Sequence, residues 1–427
     1  MTLDFNGQIL GVTGSFGSGC STLALALEGF GYKRISLSSE VRTEFQISQG
    51  EKKTEKTISK GDDRRLLQDF GNRQRLENGS DYWAKKAVGT AQKTFQSGLP
   101  VFDGIRNSKE LEFLRNTFPN FLLITVWCPQ RFRFDRVREE YGGDWSVFEE
   151  DDKRDCNEEI AHGQEVQLCV DNADIVIRND DNHTPAAAAR HLKNKIGEYI
   201  HLIQGTEVRP PHHDEVAMAI AYTSALRSQC IKRTVGAAIT SHSGVLISSG
   251  YNENPEPMDP CVRAYGYCFK DAQLREHIGI MVKRRPECPN PKCKVELKSL
   301  ESLRDGFKCV ACGYNLVRAY APDRGMQRCT AVHAEMAAIL NAGGKDLRDK
   351  VLYTTTFPCS QCARQIAYVG IKKVVYVEPY PDPDSESFMR DNCKIILQMF
   401  EGVKARAYER IFTKVRLQNE KRYSLTT

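Results

Sequence analysis

The sequence predicts an α/β protein of more than one domain, and three observations lead to this class. A chain of 427 residues with 41% hydrophobic and 9% aromatic residues is long enough to form two or three packed domains. Short apolar runs alternate with helical patterns, which is typical of βαβ units. Pro210 and Pro211 interrupt a helical pattern and mark a domain boundary.

The composition argues against several classes of protein, namely general nucleic-acid binders, secreted proteins and membrane-spanning proteins. A net charge of +5 with 27% charged residues does not indicate a general nucleic-acid binder. The segment Met1 to Asn6 lacks the pattern of a secretory signal, and no apolar run is long enough to span a bilayer. The 15 cysteines fall partly in metal-type spacings. We therefore expect a cytoplasmic protein with no membrane partner.

The first predicted element is a glycine loop between a strand over residues 8–13 and a helix over 23–27. Its spacing is that of a phosphate-binding loop, in which backbone N–H groups and the helix dipole hold an anion. Cys20 replaces the lysine of this pattern, which argues against phosphoryl transfer. The residues expected to bind a nucleotide are Gly14, Gly17, Ser18, Gly19, Cys20, Ser21 and Thr22.

Further strands are predicted over residues 101–106, with a candidate metal-side carboxylate at Asp103, and over 121–126 and 173–177. Four arginines lie between the last two strands, where they form either a lid helix over phosphates or a solvated helix face. They are Arg131, Arg133, Arg136 and Arg138.

Residues 8 to 180 resemble the dephospho-coenzyme A kinase and deoxynucleotide monophosphate kinase group. The likeness lies in the loop 11–19, Asp103-Gly-Ile-Arg106, the four arginines and the strand 173–177. Cys20 and the segment 35–39, which has no acidic residue, depart from that group. The resemblance implies a nucleotide-kinase-like domain over 1–182 that has lost catalysis. It would bind a regulatory nucleoside triphosphate, with Mg²⁺ as a candidate companion ion.

A helix and linker are predicted over 183–212, and a second domain over 213–427. Five strands with helices on both faces predict a three-layer α/β/α sandwich. The predicted strands are a hairpin (235–240 and 244–248), then 351–356, 373–377 and 403–408, with a helix through Ile395 and Ile396 before the last.

This domain carries the sequence His333-Ala-Glu335, followed by Pro358-Cys359-Ser-Gln-Cys362. One imidazole and two thiolates leave the fourth tetrahedral position of a zinc ion to water, which is the catalytic arrangement. Zinc lowers the pKa of that water to about 7. Glu335 is not needed as a ligand and is predicted to move protons. Both motifs open apolar helical patterns, so each ligand is expected at a helix N-terminus.

The same motifs, with Ser228-x-Cys230 and Gly250-Tyr-Asn252, resemble the deoxycytidylate deaminase family over roughly residues 212 to 410. The resemblance implies hydrolytic deamination of the cytosine ring and substrate contacts by Asn252, Ala334 and Tyr380. On its own, Asn252 is also compatible with a turn residue.

The order of the two domains is similar to that of bacterial anti-phage deoxycytidine nucleotide deaminases. That resemblance implies depletion of dCMP or dCTP on infection, a homo-oligomer (a hexamer by family analogy) and, in some members, an inhibitory small RNA.

An insertion over 255–327 contains Cys288, Cys293, Cys309 and Cys312. Two cysteine pairs at this spacing predict a structural four-thiolate zinc ribbon, and free structural thiols are the alternative. Cys261 and Cys268 belong either to a second site or to none.

Two other functions are compatible with these motifs. One is a deaminase of RNA or single-stranded DNA, held by the basic residues of the insertion. The other is a nucleotide sensor with a vestigial deaminase site, against which the complete set of His333, Glu335, Cys359 and Cys362 argues. Ammonia release from free nucleotides and from single-stranded DNA would separate them.

Overall fold

The computed structural model describes residues 7–49, 64–95, 98–156, 158, 162–180, 185–206, 209–293, 295–297, 303–304, 307–321, 328–379 and 383–413. The chain forms two compact units. The first contains Met1–Ala219 and Met399–Thr427, and the second contains Ile220–Gln398. None of the helices in the described ranges is long and apolar enough to cross a membrane.

The first unit begins with alternating strands and helices. They are β1 (Ile9–Thr13), α1 (Cys20–Glu28), β2 (Tyr32–Ser36), α2 (Leu37–Ser48), α3 (Arg64–Asn78), α4 (Tyr82–Thr94), β3 (Leu99–Asp103), α5 (Ser108–Thr117), β4 (Phe121–Trp127), α6 (Gln130–Val137), α7 (Trp145–Cys156), α8 (Val166–Asp171), β5 (Ile175–Arg178) and α9 (Pro185–Gln204).

The second unit begins within α10 and ends within β12, and β13 is the last described strand. The elements of this part of the chain are α10 (His213–Ala225), β6 (Gly236–Thr240), β7 (Leu246–Tyr251), α11 (Cys261–Ala264), α12 (Phe269–Arg284), β8 (Leu303–Arg304), β9 (Lys308–Cys309), α13 (Leu316–Tyr320), α14 (Ala334–Asn341), β10 (Val351–Thr356), α15 (Ser360–Tyr368), β11 (Lys373–Glu378), α16 (Pro383–Ser387), β12 (Ile396–Met399) and β13 (Gly402–Val403).

The sheet of the first unit has the order β13-β5-β4-β1-β3-β2. Strands β2 to β5 and β1 are parallel, and buried apolar residues cover both faces of the sheet. Strands β2 and β3 lie on one side of β1, and strands β4 and β5 lie on the other. The loop after β1 therefore lies at the point where the strand order reverses. Ligands of open α/β sheets bind at this point, outside the carboxyl ends of the strands.

The C-terminal segment differs from its prediction. Residues 396–399 form strand β12, which pairs with β11, whereas residues 405–413 are helical. The expected helix and final strand are therefore wrong. Strand β13 pairs antiparallel with β5 of the first unit, with Val403 beside Ile175. Because Val403, Ala407 and Ile411 are buried in the core of the first unit, the end of the chain belongs to that unit and not to the second.

The second unit has a five-stranded sheet in the order β12-β11-β10-β6-β7. The predicted hairpin is confirmed as β6 and β7. Two glycines bring helices onto opposite faces of this hairpin. A Cβ at Gly236 would lie 1.9 Å from the Ala221 carbonyl oxygen of α10, and a Cβ at Gly250 would lie 2.3 Å from the Ala338 nitrogen of α14. Helices therefore cover both faces, in the mixed α/β arrangement that the sequence predicted.

Candidate functional site

Two helices of the second unit present the residues of the predicted metal motif. His333 is the N-cap of α14, and Cys359 is the N-cap of α15. Cys362 lies in the first turn of α15 and is buried. The positive end of a helix dipole favours thiolate at such positions.

The three side chains lie close enough to share one ion. The Sγ atoms of Cys359 and Cys362 are each 3.3 Å from Nδ1 of His333, and the three ligand atoms lie within 4.8 Å of one another. Tetrahedral zinc with ordinary bond lengths would separate nitrogen and sulfur ligands by roughly 3.6 Å. The donor set and its spacing therefore fit zinc.

The pKa values describe a thiolate beside an imidazole. A hydrogen bond from the Cys362 thiol, and then one from His333, lower the pKa of Cys359 to about 4. The hydrogen bond of the Cys362 thiol to Cys359, and then burial, raise the pKa of Cys362 well above its usual range. Hydrogen bonds to Cys329 and Cys359 raise the pKa of His333 to about 10. Zinc binding would displace the imidazole and thiol protons, because metal ligands must be deprotonated.

Glu335 lies inside this cluster without being part of the ligand set. It is 4% exposed, and its Oε2 accepts a hydrogen bond of 3.5 Å from the Cys362 thiol. Burial raises the pKa of its carboxyl above the usual range. A raised pKa suits a group that must take up and release a proton near neutral pH.

The segment before His333 is held by residues that the motif search did not select. Glu253 and Val332 exchange backbone hydrogen bonds of 3.2 and 2.9 Å. Asn254 accepts a hydrogen bond of 2.8 Å from Thr330 Oγ1 and donates one of 2.8 Å to the Asp259 carbonyl. Cys329 is hydrogen-bonded to His333, which lowers the pKa of its thiol. The sequence marked Asn254 and Cys329 only by their positions, two residues after Asn252 and four residues before His333.

The predicted substrate contacts have different surroundings. The side chain of Asn252 bonds to the backbone, accepting from Val235 N at 2.7 Å and donating to the Arg233 carbonyl at 2.9 Å. Ala334 is buried at the start of α14, next to His333. Tyr380 lies outside the described residues.

The four cysteines of the insertion also converge. The Sγ atoms of Cys288, Cys293, Cys309 and Cys312 lie within 4.8 Å of one another, and those of Cys288 and Cys312 are 3.7 Å apart. All four are free thiols. Sulfur ligands of tetrahedral zinc are separated by roughly 3.8 Å, so this set fits zinc as well. The backbone N–H of Tyr314 helps to lower the pKa of Cys312 to about 6.

The glycine loop of the first unit connects β1 to α1. Gly14, Gly17 and Gly19 have φ values of 150°, 77° and 109°, which favour glycine. Burial raises the pKa of the Cys20 thiol to about 12, so the residue in the lysine position carries no charge at neutral pH. Ser18 Oγ lies 3.3 Å from Cys20 Sγ, and Ser21 Oγ donates to Asp103 at 3.3 Å. Thr22 follows in the first turn of α1.

The predicted lid arginines divide into two pairs. Arg133 pairs with Asp152 and donates to the Phe16 carbonyl, and Arg136 donates to the Gly17 and Ser18 carbonyls at 3.1 Å each. Arg131 and Arg138 instead lie over the rings of Phe132 and Phe134.

Comparison with known proteins agrees with the metal motif. Residues 211–378 match the family model of the cytidine and deoxycytidylate deaminase zinc-binding region. The deoxycytidylate deaminase of Mycobacterium phage D29 is 30% identical over 166 residues, which cover 39% of this chain and 94% of the phage enzyme. That of Schizosaccharomyces pombe is 26% identical over 293 residues, covering 66% of this chain and 70% of the yeast enzyme.

A different kind of protein is also similar to part of the chain. A UPF0200 protein of Thermococcus gammatolerans is 32% identical over 152 residues, which cover 34% of this chain and 75% of that protein.

The chain spans only part of the length of some deaminase relatives. It covers 62% of a probable deoxycytidylate deaminase of Drosophila melanogaster and 45% of the deoxycytidylate deaminase of Saccharomyces cerevisiae.

A zinc-binding region that matches the family model, together with a relative that is 30% identical over nearly its whole length, establishes the family. The chain belongs to the deoxycytidylate deaminases, and it is a deaminase that hydrolyses a carbon–nitrogen bond.

Proposed function

We propose that the chain converts deoxycytidine nucleotides, dCMP and/or dCTP, to the corresponding deoxyuridine nucleotides and ammonia. The observation that supports this most directly is the cluster of His333, Cys359 and Cys362 with Glu335 buried against it. The relatives named deoxycytidylate deaminase support the substrate class.

In this proposal, His333, Cys359 and Cys362 hold the zinc of the family, with His333 as a neutral ligand and the cysteines as thiolates. Bound zinc would supply a water molecule acidic enough to act as hydroxide near neutral pH. Glu335 accepts the proton of that water and donates it to the amino group that leaves the ring. The ring thereby exchanges its amino group for a carbonyl oxygen. One proton of the water leaves in ammonia, and the other remains on the ring nitrogen beside the new carbonyl.

Ala334, Asn252 and Tyr380 are proposed substrate contacts. Both polar atoms of the Asn252 side chain bond to the backbone of residues 233 and 235, so contact with the sugar requires Asn252 to exchange at least one of these bonds.

The first unit is proposed as the regulatory part, which binds a nucleoside triphosphate at Gly14 to Thr22. The glycine geometry of the loop and its place at the reversal of strand order support this role. Assembly as a homo-oligomer, repression by a small RNA and depletion of the nucleotide pool during phage infection are the corresponding biological proposals. They rest on the order of the two domains.

The test is ammonia release by the zinc-loaded full chain on dCMP, dCTP, CMP and single-stranded DNA, each supplied separately. We expect turnover of at least one deoxycytidine mononucleotide and none of the DNA. Turnover of DNA with neither nucleotide consumed would replace the proposal with polynucleotide deamination. Depletion of the cellular deoxycytidine nucleotides after phage infection, compared with a Glu335→Ala strain, tests the defence role.

A further inference from the structure

The first unit gathers arginines around its glycine loop. Arg34 pairs with Asp103, Arg106 with Asp155, and Arg133 with Asp152. Asp103 also accepts from Ser21, and Asp155 accepts from the backbone N–H of Phe16 at 3.4 Å. These ion pairs therefore contact the loop residues themselves.

Two more guanidinium groups near the loop pair with no carboxylate in the described ranges. Arg64 lies 3.5 Å from the ring centre of Phe16, and within those ranges its buried Nε has no hydrogen-bond acceptor. Arg136 donates to the carbonyls of Gly17, Ser18 and Asn179. A group of like charges at this density is stabilised by a bound anion.

The carboxylate expected to hold a magnesium ion is engaged by protein groups. Loops that transfer phosphoryl groups use a lysine, a loop serine or threonine, and an aspartate that holds the ion. Here Cys20 stands in the lysine position, and the Asp103 carboxylate is engaged by Arg34 Nε at 2.9 Å, Arg34 Nη2 at 2.5 Å and Ser21 Oγ at 3.3 Å. The residues present do not fit the magnesium ion expected to accompany the nucleotide.

A buried acceptor beside the loop indicates that the ligand is more than a phosphate chain. Asn179 is 1% exposed, and its Nδ2 donates to the Ser18 carbonyl at 2.7 Å. Its Oδ1 has no hydrogen-bond partner within the described part of the chain. Buried acceptors are nearly always paired, so a donor on the sugar or base of a ligand would complete this one.

We infer that the first unit binds a nucleoside polyphosphate through guanidinium groups and without a magnesium ion. Arg64 and Arg136 neutralise the phosphates, and the N–H groups of the loop orient them. This inference rests on the proposed nucleotide-binding role of the unit and adds that arginines of the protein balance the negative charge of the phosphates.

The experiment measures binding of ATP to the full chain carrying Glu335→Ala, by calorimetry, once with excess Mg²⁺ and once with EDTA. We expect dissociation constants that agree within about twofold, because the neutralising charges belong to the protein. A dissociation constant that rises about tenfold or more in EDTA overturns the inference. Absence of binding in both buffers overturns it together with the regulatory role, whereas deamination of nucleotides is tested separately.

Variants locate the site and identify the ligand. Arg64→Ala should weaken ATP binding about tenfold in both buffers, since it removes a charged hydrogen-bond donor, and Arg64→Lys should recover part of the loss. Arg73→Ala, which removes an exposed arginine of the same helix α3, is the matched control. Unchanged binding by Arg64→Ala overturns the inference.

Tripolyphosphate should compete with ATP but bind more weakly, because it offers no donor to Asn179. Equal binding of the two would overturn the assignment of a nucleoside. Asp103→Asn should keep ATP binding, although loss of the charge that pairs with Arg34 should lower the melting temperature. Loss of ATP binding in a variant that is still folded at the assay temperature would return Asp103 to holding a metal ion.

Discussion

Glu335 and His333 lie two residues apart, and their different surroundings predict different consequences of removing each. Glu335→Ala should lower deamination about a hundredfold or more, because it removes the group that moves the proton, and zinc content should stay unchanged. His333→Ala and Cys359→Ser should lose zinc and activity together. Metal analysis and ammonia release on the same samples check both statements.

Glu386→Ala is the control, since Glu386 is a surface carboxylate of the same unit and pairs with Arg390. If Glu335→Ala also loses its zinc, Glu335 is a ligand and the assignment of roles is wrong.

The sequence identified the cluster because each motif places its ligands at the N-terminal end of a helix, His333 at α14 and the two cysteines at α15. His333, Cys359 and Cys362 converge as the motif predicts. The contacts of Asn254 with Thr330, and of Asn252 with the backbone of residues 233 and 235, join distant segments, so no local pattern could reveal them.

The insertion is an element whose folding should depend on metal. We expect Cys309→Ser with Cys312→Ser to remove one zinc per chain and to expose the insertion to proteolysis, because metal binding and folding are coupled at such sites. The small core behind the cysteines, which includes Leu274, Ile278 and Leu316, would lose its support. Metal analysis and limited proteolysis measure the two effects.

Cys230→Ser is the matched control, since Cys230 lies in the same unit and in neither group of converging cysteines. An unchanged zinc content in the double variant would show that the four thiols are ordinary core cysteines.

Helices and strands were predicted well where the hydrophobic pattern was long or was interrupted by glycine. Examples are the strand, loop and helix around Gly14 to Thr22 and the hairpin of β6 and β7. From Ile395 onward, helix was predicted where the chain forms a strand, and strand where it forms a helix, because short apolar runs do not distinguish the two. Only the distant partner β5 determines where Val403 pairs.

In the whole molecule, the last described residues should stabilise the first unit. Ile411→Ala removes a side chain that is 2% exposed in the core of that unit and should lower the free energy of unfolding by about 2–5 kcal/mol. Ile396→Ala, at a side chain that is 61% exposed, should change it little. Chemical denaturation can be monitored by nucleotide binding and, separately, by deamination. The loss of stability should appear first in nucleotide binding, which would assign it to the first unit.

The glycine loop should also determine how nucleotides regulate the deaminase. A Cβ at Gly19 would lie 2.7 Å from Asn179 Nδ2, and Gly19 has a φ of 109°, so Gly19→Asp should block the loop. We expect the response of the deaminase rate to added nucleoside triphosphates to disappear while zinc content is retained. Coupling between two sites is typically about 1–3 kcal/mol, which corresponds to a 5- to 150-fold change in affinity.

Gly89→Asp is the control, because a Cβ there meets nothing within 4 Å. Identical nucleotide responses in the wild type and Gly19→Asp, or transfer of phosphate to a nucleotide acceptor, would contradict a regulatory site.

The pairing of β13 with β5 has a consequence for how the protein is made. A ribosome releases residues 220–398 before residues 402–412, so every residue of the metal cluster has left the ribosome while the sheet of the first unit still lacks its outermost strand. The part that carries the chemistry is therefore synthesised in full before the part proposed to regulate it. A nascent chain stalled between these two points would contain the catalytic residues without a finished nucleotide-binding unit.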